Sequence, residues 1–156
     1  MNANSYTDLS YHSSNTNVAM VMTNGDVLLR GKVGMTKITI TAAETDMFKG
    51  AEYTVTLKVN PKNVGFHYLK YHSPGTIDLD WKTFKGLKYV EVQASKTKAF
   101  KNIARKTNVS AKWTGIFWDG FKRGNWYIRY RAVVKINGKK YYSSWSKVRK
   151  IKVKKS

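Results

Sequence analysis

Two carboxylates, Asp78 and Asp80, stand two residues apart in the stretch "TIDLDWK". Paired carboxylates are the tools of glycoside hydrolysis, so this is the first place to look for catalysis. Both alternate with Ile77, Leu79 and Trp81, which puts them on the outer face of a strand whose inner face is apolar. There the bland role is to neutralise neighbouring lysines. The three histidines are His12, His67 and His72. His67 and His72 flank a predicted strand and could meet near the middle of the chain, but two isolated imidazoles do not make a metal site. Cysteine is absent, which removes disulfides and thiolate ligands. No glycine-rich phosphate loop and no nucleophile motif is present. The expectation is a non-enzymatic chain with no catalytic residue, no cofactor and no metal.

Binding chemistry is better represented. In "NWYIRYRAVV" the residues Trp126, Ile128, Tyr130, Ala132 and Val134 share one face, so Tyr127, Arg129 and Arg131 share the other. Lys150, Lys152 and Lys154 alternate in the same way with Ile151 and Val153. The Asn137-Gly138 turn lays the two strands side by side, which predicts a basic stripe on one sheet face. Trp145, in "SSWS", depends on register. Unbroken pairing turns it inward beside Tyr130, buries Lys147 and Arg149, and exposes Val148. A one-residue bulge turns it outward between Arg129 and Arg131, and this is the arrangement expected. The stripe has two readings: a solubilising surface that guards sheet edges, or a site for a polyanion such as a wall polymer or an acidic glycan.

A second candidate is "KWTGIFWDGFKRGNWY", residues 112–127, with Trp113, Phe117, Trp118, Phe121, Trp126 and Tyr127 among its 16 positions. Phe117 and Trp118 are consecutive and must point opposite ways in a strand. Core filling accounts for most of these rings. Trp113 and Trp118 remain as candidates for a sugar-stacking surface.

The elements that would hold these groups are strands nearly throughout. "TKITITAAE" and "EYTVTLKV" alternate with period two, as does "KYVEVQAS" through Val90 and Val92. Asn24-Gly25 signals a type I′ hairpin between "VAMVMT" and "DVLLRG". "KAFKNIARKTN" reads as strand and loop. Charge divides the chain: residues 1–60 hold five basic and five acidic residues, and residues 61–156 hold the other 24 basic residues against four acidic ones. With Pro61 ending a strand pattern in "VNPKNVG", two modules follow, 1–60 and 61–156. No apolar run approaches the roughly 20 residues of a membrane span, and residues 1–9 show neither the basic start nor the apolar centre of a signal peptide. No recognition helix or RNA-binding aromatic motif is present, so a specific nucleic-acid partner is not expected.

Two resemblances organise these signs. Residues 11–62 carry SSN before VA-x-V, then G-x-V, then G-x-V-G-x-T-x-I-T and a closing V-x-P. This resembles the later part of a bacterial Ig-like module of the group 2 family, whose pattern normally opens about 30 residues earlier. Residues 64–156, through Trp81, "GFKRGNWYIRYRA" and "SSWS", resemble a lysine-rich fibronectin type III module of Gram-positive surface proteins. Trp126 stands where that family has a tyrosine that ties down a corner, and an indole N–H can donate but not accept. Phe121 takes the usual leucine position. The resemblances imply an all-β chain of two tandem β-sandwiches, the first incomplete at its N-terminus. They imply an extracellular or cell-surface spacer or adhesive pair, or a phage virion module, or a dedicated glycan-binding module. The implied partners are an anionic wall polymer or glycan, and self-association or strand addition through the incomplete first module.

Overall fold

The computed structural model describes residues 7–154. Most of the stretch read for a signal peptide, residues 1–6, lies outside the described residues. The chain divides into two compact units, Met1–Asn60 and Pro61–Ser156. Every regular element among the described residues is a strand, and every strand pair is antiparallel.

The first unit contains β1 (Leu9–Ser13), β2 (Ala19–Val21), β3 (Val27–Leu29), β4 (Gly34–Ala42) and β5 (Ala51–Val59). β4 is the middle strand of the sheet β1-β4-β5, and β2 pairs only β3. Alternation on β4 works as the sequence implies: Ile38 and Ile40 are buried, whereas Lys37 is exposed. The core is small, made of Val18, Ala19, Ile38 and Ile40 around two buried hydroxyls, Ser13 and Thr36. Ser13 Oγ donates to the Ala19 carbonyl at 2.7 Å and lies 2.9 Å from Thr36 Oγ1, which also accepts the Asn15 N–H at 2.9 Å. Ser14 Oγ accepts the Lys37 N–H at 2.9 Å. The SSN triplet is therefore a hydrogen-bonded corner carrying the chain from β1 towards β2.

One expectation for this unit needs correction. The β2–β3 turn is not type I′, which requires positive φ at both central residues. Only Gly25 is left-handed (φ 84°), while Met22 accepts the Gly25 N–H and donates to the Asp26 carbonyl, both at 2.9 Å. That is a three-residue loop ending in a glycine bulge. The Asn24 amide holds it by accepting the Asp26 N–H at 3.1 Å and donating to the Asp26 carboxylate at 2.8 Å. Val18 is buried, whereas Met20 and Leu29 are exposed.

The second unit contains β6 (Phe66–Ser73), β7 (Thr76–Trp81), β8 (Tyr89–Ser95), β9 (Arg105–Ser110), β10 (Gly115–Trp118), β11 (Gly124–Ile136), β12 (Lys139–Tyr142) and β13 (Arg149–Val153). One sheet has the order β10-β7-β6. The other has the order β12-β11-β8-β9, with β13 beside the first half of β11. Ile77, Leu79 and Trp81 from the first sheet share one core with Val90, Val92, Ile128, Tyr130 and Ala132 from the second. Phe66 and Trp81 bridge the sheets to Tyr130, with ring centroids 4.2 and 6.0 Å away. Asn137 (φ 47°) and Gly138 (φ 79°) form the two-residue turn that the sequence announces. At the corner before β11, the Trp126 indole donates to the Lys122 carbonyl at 2.7 Å, so a donor alone suffices to tie it. Phe121 packs edge-on against both Trp126 and Trp118.

Thr36→Val keeps the shape of the first core but removes a hydroxyl from a buried network. Removing the 2.9 Å acceptor of the Asn15 N–H, while Ser13 Oγ keeps its bond to the Ala19 carbonyl, should destabilise this unit by about 1–3 kcal/mol. Faster hydrogen exchange at the Ile38 and Ile40 amides, with the second unit unchanged, is the expected result.

Candidate functional site

The outer face of the larger sheet carries a stack. The Arg129 guanidinium lies over the rings of Phe100 and Trp145, each 4.2 Å from it. Arg131 lies over Trp145 at 4.4 Å and Tyr142 at 4.1 Å. The order is ring, cation, ring, cation, ring. Its planar edges are bonded too: Arg129 donates twice to Gln93 Oε1 (3.0 and 2.8 Å), and Gln93 donates to Glu91 (3.1 Å). Glu91 accepts from Arg131 Nε at 2.9 Å and pairs with its Nη2 at 2.8 Å. Burial, then the nearby Arg131 charge, pulls the Arg129 pKa below its ordinary value.

Local chemistry explains how Trp145 reaches this position. Tyr142 pairs with Val133, the Ser146 N–H donates to the Tyr130 carbonyl, and Arg149 pairs with Ile128. The register thus slips by one residue before Ser146 and by one more after it. The sequence implies one bulge; there are two. Ser143 Oγ accepts the Ala132 N–H at 2.9 Å and Ser146 Oγ accepts the Tyr130 N–H at 3.1 Å. The serines of "SSWS" thus satisfy β11 amides where the backbone ladder is interrupted.

Lys150 and Lys152 are exposed on the same face, opposite Tyr127 and Asn125. Lys106 joins them from β9, opposite Gln93. Lys154 leans elsewhere, its ammonium 5.9 Å from the Tyr71 ring of β6. The two arginines are held by rings and acceptors, so the exposed cations of this face are lysines.

Trp118 does not serve a surface site. It is buried in the core against Phe121, and the Arg105 guanidinium lies 5.6 Å from its ring. The alternation of β10 turns its neighbour Phe117 outward instead. Trp113 and Phe117 are each 66% exposed. Both line an open groove of about 490 Å³ on the outer face of the smaller sheet, together with Tyr68, Asp78 and Asp80. A hydrogen bond to Asp78 raises the Tyr68 pKa above its usual value, and burial and the two carboxylate charges add to it. His67 and His72 do not meet: His67 Nδ1 lies 3.6 Å from Asp80, and His72 packs on Phe117 at the far end of β6. Among the described residues no group of three or more His, Asp or Glu could hold a metal ion. No helix among them is long and apolar enough to cross a membrane.

Several participants carry no signal in the sequence. Phe100 sits in a loop and reaches Arg129 only by adopting a left-handed backbone (φ 53°). Gln93 and Glu91 read simply as outward positions of β8. Comparison with known proteins returns no matching family model and no significantly similar curated protein.

Trp145→Ala removes the central ring between two guanidinium groups. Each such contact is worth about 0.5–2 kcal/mol, so chemical denaturation should show the second unit destabilised by about 1–3 kcal/mol. Lys150→Ala, on the same face but outside the stack, should change stability by less than about 0.5 kcal/mol.

Proposed function

We propose that this chain is a non-enzymatic pair of β-modules, Ig-like then fibronectin type III-like, from a bacterial surface or secreted protein or a phage virion. It acts as a spacer and in adhesion, and its second module attracts anionic wall polymer or acidic glycan. The support for the module identities is the sequence resemblance, the antiparallel sheets, and the Trp126 bond at the corner where the family has a tyrosine. The observation that carries the binding role is charge: 24 of the 29 basic residues lie in residues 61–156. Lys150 and Lys152 stand exposed on β13, where their potentials add within a screening length of about 8 Å, and Lys106 extends the same sheet face from β9, beyond β11 and β8.

The test is binding to a wall teichoic acid in a salt series. Affinity should fall steeply with salt. Lys106→Glu, Lys150→Glu and Lys152→Glu together should weaken it several-fold more than Lys62→Glu, Lys70→Glu and Lys98→Glu together. Equal losses would mean that net charge alone acts and the face has no role.

The first unit supports association with another strand. β5 is an edge of its sheet, Tyr53 on it is 69% exposed, and Val55 and Leu57 are only half-buried. Residues 1–60 have no net charge to repel a second copy, and salt screens the rest of the chain. Sedimentation of the full chain should show concentration-dependent self-association, lost on Tyr53→Lys with Leu57→Lys. A monomer at all concentrations, with these amides well protected from exchange, would remove the assembly role.

A further inference from the structure

We propose that the groove on the outer face of β6, β7 and β10 docks a neutral saccharide, a ligand class distinct from the polyanion and independent of that reading. Trp113 and Phe117 are the most exposed large apolar side chains among the described residues of the second unit, and both line this one groove. Rings left in water lose the large apolar burial they offer a ligand. Gly115 lines the groove between them and lets β10 lie close against β7: a Cβ there would come within 2.6 Å of the Leu79 carbonyl oxygen.

The floor supplies polar partners for a polyol. Asp78 and Asp80 are outward acceptors, and Tyr68 stands beside them in register with Asp80. Neither carboxylate is ion-paired to a lysine among the described residues; the partner of Asp80 is His67. Lys70, in register with Asp78, holds its ammonium 5.0 Å from the Tyr68 ring. A pyranose matches this surface, since its C–H face covers an aromatic ring while its hydroxyls donate charge-assisted bonds to carboxylates. The charges select against the alternatives. Two carboxylates repel an anion locally, and a chain of net charge +20 disfavours a cation at long range. The volume, about 490 Å³, suits a few sugar rings, and the groove is open enough for a polymer to continue past it.

The full chain should be titrated with neutral hexasaccharides of glucose, mannose, galactose and N-acetylglucosamine, following the indole N–H signals by NMR. At least one should shift Trp113, with an affinity that changes less than about twofold across a salt range that abolishes electrostatic binding. Trp113→Ala should weaken it by about tenfold or more, and Asp78→Asn several-fold, with the fold intact by amide dispersion. The Lys106, Lys150 and Lys152 reversals should leave it unchanged, so that losing teichoic acid binding and losing saccharide binding are separate results. The proposal is overturned if no hexasaccharide shifts Trp113 at millimolar concentration, if the affinity read from the backbone amides of β6, β7 and β10 is unchanged by Trp113→Ala, or if choline or glucosamine binds more tightly than every neutral sugar.

Discussion

The pleat of β11 assigns opposite duties to successive residues, and most of the second unit follows from that assignment. Trp126, Ile128, Tyr130 and Ala132 turn inward to a core shared with β7 and β8, while Arg129 and Arg131 turn outward into the ring–cation stack. A slip of one residue would exchange the two sets and put guanidinium groups into the core. The neighbours of β11 hold the register. β8 pairs it without interruption from Tyr127 to Val133, and the serines of "SSWS" let β12 and β13 follow the same strand through two bulges. The inward set has a cost: the Tyr130 hydroxyl is buried without a hydrogen-bond partner among the described residues, and burial raises its pKa. Its ring contacts with Phe66 and Trp81 offset that cost.

The two units reach order by different routes. The second fills a core with large side chains from both sheets. The first buries few of its apolar groups and relies on the Ser13, Asn15 and Thr36 corner, where each hydroxyl has a defined partner. Hydrogen bonds set geometry well but add little net free energy. A unit built this way gains from any apolar surface laid over Tyr53, Val55 and Leu57. Size limits it as much as sequence does.

Alternation made the strands legible: Ile77, Leu79 and Trp81 are buried as the period-two pattern implies, and Asn137-Gly138 turns where it should. The failures have two causes, a local side-chain bond that competes with the turn signal and strand neighbours that the local sequence does not name. Asn24-Gly25 has the letters of a type I′ turn, but side-chain bonds from Asn24 to Asp26 select a longer loop. Phe117 and Trp118 had to diverge, yet only the pairing of β10 with β7 decides that Phe117 faces outward. The outward turn of Trp145 is expected because unbroken pairing would bury Lys147 and Arg149. The second bulge nevertheless sets Arg149 opposite Ile128, where it stays exposed with its guanidinium 4.4 Å from the Phe66 ring. The outer rings of the stack, Phe100 and Tyr142, arrive from a loop and from another strand. The sequence therefore placed Trp145 between Arg129 and Arg131 but could not say that Phe100, Tyr142, Gln93 and Glu91 complete the stack and occupy the arginines.

That distinction separates the two faces of the second unit. On the larger sheet the aromatic rings are covered by guanidinium groups, and the arginines spend their donors on Gln93 and Glu91. An arginine fork held in this way has few hydrogen bonds left for a ligand, whereas a lysine ammonium on a flexible stem stays available as a point charge. Attraction to anions on this face therefore falls to lysines and is diffuse. On the smaller sheet Trp113 and Phe117 are uncovered, and the carboxylates beside them have no lysine partner among the described residues. Short-range, oriented contacts are available there. The second unit thus separates exposed lysines on one sheet from uncovered rings beside carboxylates on the other.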